Sequence, residues 1–345
     1  MPRNAEVEKI NPGDQVALRP RRGLPASVHV FDEDSLLAIR AALATGRPLL
    51  VRGEPGTGKS QLARAAAEVL GWPFLPHAVD GLTETRDLLW TVDAVARLAE
   101  AQVMATLKDA AGPQQVRDLI GIGRFVRPGP LWWAFDWREA REQAARSGAL
   151  EPERPEGWTE AKGAVVLIDE IDKADASVPN GLLDALGHGA FEAPGRGPDR
   201  PVVMDQACKP LVVITTNEER ALPDAFLRRC WVLHLALPEE PEALERTLVE
   251  RGRAHFREVD GAVLERAAEL LAADRRFFKA QDLYAPGLAE YIDLVDAVQD
   301  QGAPPAEQLE LLEQLRKFAL HKPPPQPGKR PPQVPSGKRP EETGQ

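Results

Sequence analysis

Cysteine is almost missing: Cys208 and Cys230 are the only two in 345 residues, and no CxxC pair occurs. Neither a disulfide framework nor a cysteine-built zinc site is therefore indicated. The six histidines (His29, His77, His188, His234, His255, His321) show no metal-ligand spacing, so each reads as a core or solvated side chain. No run of about 18 apolar residues is present to span a bilayer. The opening MPRNAEVEKINPGDQ lacks the apolar stretch of a secretion signal, so the expectation is a cytoplasmic protein with no membrane contact. A basic excess is lacking too. The formal charge is −10, which argues against a general nucleic-acid or anionic-membrane surface. What remains, at 43% hydrophobic and 28% charged residues, has the balance of an ordinary globular chain.

Against that background one stretch stands out, GEPGTGKS, from Gly53 to Ser60. It fits G-x-x-x-x-G-K-[ST], a loop whose backbone N–H groups wrap the phosphates of a nucleotide. Its three glycines allow close backbone approach and conformations that a Cβ forbids. Lys59 is placed to reach the terminal phosphates, and Ser60 to offer its hydroxyl to Mg²⁺. The flanks agree. Pro48 to Val51 is a short apolar run suited to a buried parallel strand, and Leu62, Ala65, Ala66 and Val69 mark one face of a helix. The expected ligand-binding set is Gly53, Glu54, Pro55, Gly56, Thr57, Gly58, Lys59, Ser60 and Gln61, joined by Asp169 below.

Around this loop the chain divides by texture. Residues 1–28 read as an irregular lead-in. Asp34 is the expected cap of a helix carrying Leu36, Leu37, Ile39 and Ala42. A second strand is expected at Phe74 to Val79. Residues 85 to 123 then read as helical, with Val92, Val95, Leu98, Val103 and Leu107 as apolar positions, and a further helix runs from Leu131 to Ser147. Trp90, Trp132, Trp133 and Trp137 fit an internally packed helical element better than a base-stacking platform, because basic residues are not interleaved with them. Gly163 to Ile168 and Leu211 to Thr216 are unbroken apolar runs, as expected of parallel strands covered on both faces. Between them lie a short helix and a hairpin at about 188–206. After the strand at Trp231 to Leu237 only helical periodicity remains (Leu264, Ala267, Ala268, Leu271; Leu288, Ile292, Val295; Leu311, Leu315, Phe318). Beyond Leu320 the text is polar and Pro-rich, a tail without the means to bury a core.

A phosphate loop alone suits a kinase, a GTPase, a helicase or a remodelling ATPase. In VVLIDEID, Asp169 ends a buried strand and can hold hydrated Mg²⁺, while Glu170 is placed to activate water as a general base. Asp172 reads as a solvated residue at the following turn. In LVVITTNEER, Asn217 can hydrogen-bond both the γ-phosphate and the attacking water. In LPDAFLRRC, Arg228 and Arg229 are costly to bury within one subunit, yet an arginine supplied to a neighbour accelerates hydrolysis by orders of magnitude. No N-K-x-D guanine-reading motif occurs, which disfavours a standard GTPase.

GEPGTGKS, VVLIDEIDKAD, ITTNEER and LPDAFLRRC, in this order, resemble the AAA+ ATPases, and most closely their MoxR branch. DLLWTVDAVARLAEAQ (88–102) and RPGPLWWAF (127–135) look like the insert of that branch, and GHGAFEAPGRGPDRPVVM like its hairpin. The resemblance spans residues 30 to 300 or so. It implies an α/β fold: a P-loop AAA+ core (29–238) with a five-stranded parallel sheet in the order 5-1-4-3-2, a helical insert at about 85–127, a helical lid at 239–320 and a tail at 321–345. It also implies Mg²⁺-dependent ATP hydrolysis in a homo-oligomeric ring, usually a hexamer, with a protein client or von Willebrand A-domain partner. A nucleic-acid-directed motor of a defence system and a slow ATP-switched scaffold are the alternatives. Carried over by position, Asp169 and Glu170 match Walker B, Asn217 matches sensor 1, and Arg228 or Arg229 matches the arginine finger, with Arg229 favoured. One position departs. Ala289 stands where many AAA+ lids carry the sensor 2 arginine, which leaves Arg275 or Arg276 as the substitutes at hand.

Overall fold

The unbroken apolar runs become the strands of one sheet, and the order in which they assemble puts every motif at the same edge. The structure is a computed structural model and describes residues 5–21, 23–106, 120–197, 199–281, 283–302 and 304–320. The lead-in is not irregular. A 3-10 turn at Val7–Lys9 is followed by strands β1 (Gln15–Leu18) and β2 (Ser27–Val30), which pair antiparallel. Strands of four residues carry too little periodicity to read, and tertiary contacts hold them. Arg40 donates to the carbonyls of Val7 and Ile10, both at 3.0 Å, and Arg64 to those of Pro25, at 2.9 Å, and Arg19.

Helix α1 (Glu33–Thr45) is capped by Asp32, which accepts the Ser35 N–H at 2.7 Å; Asp34, the expected cap, lies in the first turn. Strand β3 (Leu49–Arg52) leads through the phosphate-loop sequence to α2 (Lys59–Leu70), and β4 (Phe74–Ala78) follows. The expected helix over 85–123 is replaced by α3 (Thr85–Leu89), β5 (Trp90–Val92) and α4 (Ala94–Thr106), and β5 pairs antiparallel with β6 (Val126–Pro128). Trp90 and Val92 are strand residues, and two of the apolar positions offered as helix core, Val95 and Leu98, are 80% and 61% exposed. Leu107 lies outside the described residues, as does the tail.

The segment 131–147 splits into α5 (Pro130–Phe135) and α6 (Trp137–Ser147) at Asp136, whose carboxylate caps the second helix by accepting the Glu139 N–H at 2.9 Å. Trp132, Trp133 and Trp137 are buried, with Trp133–Trp137 and Trp137–Trp158 ring centroids 5.0 and 4.7 Å apart, a packing role. Then come β7 (Val165–Asp169), α7 (Ser177–His188), the short pair β8 (Ala190–Phe191) and β9 (Val202–Val203), β10 (Leu211–Thr216), α8 (Asp224–Leu227) and β11 (Trp231–His234). The main sheet runs β11-β3-β10-β7-β4 with every pairing parallel, the expected order.

Successive strand residues point to opposite faces, and both faces are covered. Leu49, Val51, Val165, Leu167, Leu211 and Val213 pack with α1 and α2. Leu50, Val166, Ile168, Val212 and Ile214 pack with the insert helices and α7. A strand wet on neither side cannot show polar alternation, which is why these runs are continuous.

Four helices follow among the described residues: α9 (Pro241–His255), α10 (Gly261–Lys279), α11 (Leu288–Gln299) and α12 (Pro305–Ala319). They share a core of their own around Leu248, Leu264, Leu271, Tyr291, Val295 and Leu312. Gly252 is required there, since a Cβ would stand 2.5 Å from the Tyr291 hydroxyl oxygen. Among the described residues no helix is long and apolar enough to cross a membrane.

The N-terminal hairpin is fastened to α9. Arg251 donates to the Val30 carbonyl, and the neighbouring His29 is buried with no hydrogen bond to its Nε2. Burial first, and then the Arg251 charge, push the His29 pKa down to about 3 from the usual 6.5. The ring is therefore neutral in the fold and takes up its proton on unfolding. Stability is fully present above pH 6.5 and drains as pH falls toward 3, by up to about 1.4 kcal/mol per pH unit. Urea denaturation followed across that range should show a flatter acid slope for His29→Gln than for the wild type; equal slopes would contradict this assignment.

Candidate functional site

Strands β3, β10 and β7 are adjacent and parallel, so their C-terminal ends deliver Arg52, Thr216 and Asp169 to one edge. Ligand crevices in open α/β sheets form at that edge. The turn from β3 to α2 depends on glycine. Gly53 has φ 146°, and a Cβ there would collide with the Leu235 carbonyl; Gly58, at φ 94°, opens α2 in the left-handed region. The N–H groups of the first turn of α2 are left without intrahelical partners and form an anion site. Lys59 is buried, and its Nζ donates to the carbonyls of Gly53 at 2.9 Å and Glu54 at 2.8 Å. Burial lowers its pKa, opposed by the carboxylates of Asp169, Asp172, Glu170 and Glu218.

Asp169 lies beside the loop. Its Oδ1 accepts the Ser60 hydroxyl at 2.7 Å and the Thr215 hydroxyl at 2.6 Å, and the Thr215 oxygen accepts the Glu170 N–H at 2.9 Å. Glu170 adopts a left-handed conformation, φ 61° and ψ 50°, uncommon for a residue with a Cβ. Its carboxylate accepts the Asn217 side-chain amide at 3.0 Å and the Lys173 ammonium. Ser60, Asp169, Glu170 and Asn217, drawn from three separate segments, thus meet within one hydrogen-bonded group.

Two members of the group were missed or misread in the sequence. Thr215 looks like any apolar-strand threonine, yet it bridges Asp169 to Glu170. Asp172 is not solvated; it is 2% exposed, and its carboxylate accepts the backbone N–H of Glu219 at 2.9 Å and of Asn217 at 3.4 Å. It is the acceptor that shapes the turn carrying Asn217. The nearby turn residue Glu218, also left-handed at φ 62°, is tied to Arg52 at the end of β3.

A cleft of about 950 Å³ opens over this edge. Pro55, Gly56, Gly58, Lys59, Ser60, Gln61, Asp169, Glu170 and Asn217 line one part of it. The remainder is bounded by Ala17, Leu18, Pro25 and Val28 of the N-terminal hairpin and by His255, Phe256, Leu288, Ala289 and Ile292 of the C-terminal helices. Apart from Ala289, at the sensor 2 position, these flanking residues carry no motif, and only folding brings them to the cleft. Hard oxygen donors at Ser60 and Asp169 suit Mg²⁺, which takes few protein ligands and completes its shell from water and phosphate oxygens.

Other expected residues fall elsewhere. Glu54 turns its side chain to the C-terminal helices, pairing with Arg275 and, at 3.4 Å, Lys279. The Thr57 hydroxyl donates to the Glu54 carbonyl at 2.9 Å. Arg228 and Arg229 are exposed beside the edge strand β11 and do not line the cleft of their own chain; among the described residues neither forms an ion pair. Arg47 donates to the Arg228 carbonyl at 3.0 Å. Arg276 is exposed.

Removing the Asp172 carboxylate leaves two backbone donors unanswered in a buried setting. Asp172→Ala should cost about 1–3 kcal/mol in urea denaturation, with Asp172→Asn, which keeps one acceptor, in between. Wild-type stability for the alanine variant would contradict its place in the turn.

Residues 48–230, more than half of the chain, match the family described as AAA domain (dynein-related subfamily). No curated protein matches. Among solved structures, a RuvB mutant from Thermotoga maritima is 18% identical over 82% of this chain and 68% of its own, with a TM-score of 0.43. The family match spans the strand before the phosphate loop through the arginine pair, the stretch that builds four strands of the five-stranded sheet, all but β11, and the phosphate-loop part of the cleft. The chain belongs to the AAA domain family, dynein-related subfamily, and is an AAA+ P-loop protein.

Proposed function

We propose that this protein is a Mg²⁺-dependent ATPase that works as a ring and remodels or matures a partner protein, in the manner of the MoxR-like branch it resembles. The observation that carries the reading is the hydrogen-bonded meeting of Ser60, Asp169, Glu170 and Asn217 beside the phosphate loop. In this reading ATP lies along the cleft, its phosphates on Gly53–Ser60 and its base toward the hairpin and Ile292. Ser60 and Asp169 would hold Mg²⁺, which would supply positive charge against the phosphates. Lys59 exchanges the two carbonyls it holds for phosphate oxygens. Glu170 takes the proton of the attacking water as Asn217 orients that water against the γ-phosphate, giving ADP and inorganic phosphate. Thr215 and Asp172 are positioning residues for Asp169, Glu170 and Asn217.

Arg228 and Arg229, exposed and without an ion pair among the described residues, support assembly. Cations beyond reach of their own cleft suit a neighbour's γ-phosphate, with Arg229 the favoured finger and a hexamer the favoured ring. A von Willebrand A-domain protein is the partner class suggested by the MoxR resemblance.

Glu170→Gln keeps the hydrogen-bonding shape but loses the base. It should bind ATP within a few-fold of wild type while kcat falls about 10²- to 10⁴-fold; turnover near the wild-type rate would sink the assignment. For the finger, Arg229→Ala and Lys59→Ala subunits, each inactive alone, should regain ATPase activity on mixing, because some interfaces then combine an intact loop with an intact arginine. Mixtures as inactive as their parts would remove Arg229 from the neighbour's site.

A further inference from the structure

The C-terminal helices touch the phosphate loop, yet among the described residues no lysine or arginine of theirs lines the cleft. At the start of α11 the contact is backbone: the Ala289 N–H donates to the Gly56 carbonyl at 3.2 Å. The next residue, Glu290, is buried and accepts the Gly287 N–H at 3.0 Å and the Tyr284 hydroxyl at 2.9 Å, so it shapes its own helix start. The cation that does reach the loop comes from α10. Arg275, 4% exposed, donates Nη1 to the Pro286 carbonyl at 3.0 Å and Nη2 to the Glu54 carboxylate. One turn on, Lys279 Nζ lies 3.4 Å from the same carboxylate and 2.7 Å from Glu239.

Glu54 is held at both ends. Its side chain belongs to the lid pairing, while its carbonyl accepts Lys59 Nζ and the Thr57 hydroxyl inside the loop. Moving the lid therefore moves the residue that holds the phosphate-binding lysine. A neutral residue at 54 would leave the buried Arg275 guanidinium without this counter-charge, a costly state in a low-dielectric site. The closed lid thus depends on that carboxylate.

We propose that Arg275, with Lys279, is a positioning residue that latches the lid onto the phosphate loop through Glu54 and thereby sets the rate of nucleotide release. This rests on the ATP reading above. The latch grips the start of the loop, and Glu54, Arg275 and Lys279 do not line the cleft. Its loss therefore acts on ATP and ADP alike, whereas an arginine touching the γ-phosphate would tell them apart.

The test uses the full chain with Glu54→Gln, Arg275→Gln and the double variant, and two readouts. Amide exchange over residues 287–291 is followed without nucleotide, and release of fluorescent ATP and ADP analogues is followed by stopped flow. Expected are faster exchange in every variant and release of both nucleotides accelerated by the same factor, about 10- to 100-fold, with the double variant no worse than the singles. Unchanged exchange overturns the latch, as does acceleration confined to ATP or a double variant whose effects simply multiply. Should Arg275→Gln fail to fold, Glu54→Gln, altered at a half-exposed side chain, decides alone. If the wild type binds neither nucleotide but the variants still exchange faster, the latch stands and the ATP reading falls.

Discussion

The Asp169 carboxylate is the contact on which the rest of the site depends. One oxygen accepts hydroxyls from Ser60, at the start of α2, and from Thr215, on β10, and Asp169 itself ends β7. Two neighbouring strands and the helix after the phosphate loop are thereby referenced to a single atom. Through Thr215 the reference extends to the Glu170 backbone and, by way of the Glu170 carboxylate, to Asn217. Among the described residues, both non-glycine residues held at positive φ, Glu170 and Glu218, lie in this neighbourhood. Such backbone persists where surrounding hydrogen bonds over-determine it, and here Thr215, Asp172 and Arg52 supply them.

Around that rigid edge, the cleft is closed by segments fastened on with arginine. Arg64 and Arg40 reach out from the core helices to the carbonyls of the N-terminal segment. Arg251 ties β2 to α9, and Arg275 ties α10 to the loop. A guanidinium suits this work, with five donors on a long stem that can serve several acceptors at once. The hairpin wall also shares the sheet's core through Leu18 and Phe31, whereas the C-terminal helices keep a core of their own and meet the loop through directional bonds. Arg228 and Arg229 are the contrast: arginines of the same core left exposed at the opposite edge of the sheet from β4.

Much of the sheet was legible beforehand because a strand buried on both faces leaves no choice but continuous apolar text, as in residues 165–168 and 211–214. The phosphate loop was legible because its glycines answer a backbone requirement, and Asp169, Glu170 and Asn217 because each ends or directly follows such a strand. The insert was misread for the converse reason. Val92, Val95 and Leu98 fit a helical period on paper, but the pairing of residues 90–92 with 126–128 interrupts it, and α4 leaves Val95 and Leu98 in solvent. The cap at Asp32 in place of Asp34 shows the same limit at a smaller scale, since adjacent acidic residues compete and the turn decides between them.

The sequence by itself determined the parallel α/β core, the order of its motifs and the phosphate-binding chemistry, because these are written in local terms: period, glycine placement and carboxylates at strand ends. Only the tertiary structure decided which side chains finish the site. Thr215, the buried Asp172, the hairpin wall and the Glu54–Arg275 pair join residues as far apart as 221 positions. A hydrogen bond between such residues leaves no periodic trace in either segment, so its partners become visible only once the sheet has brought them together.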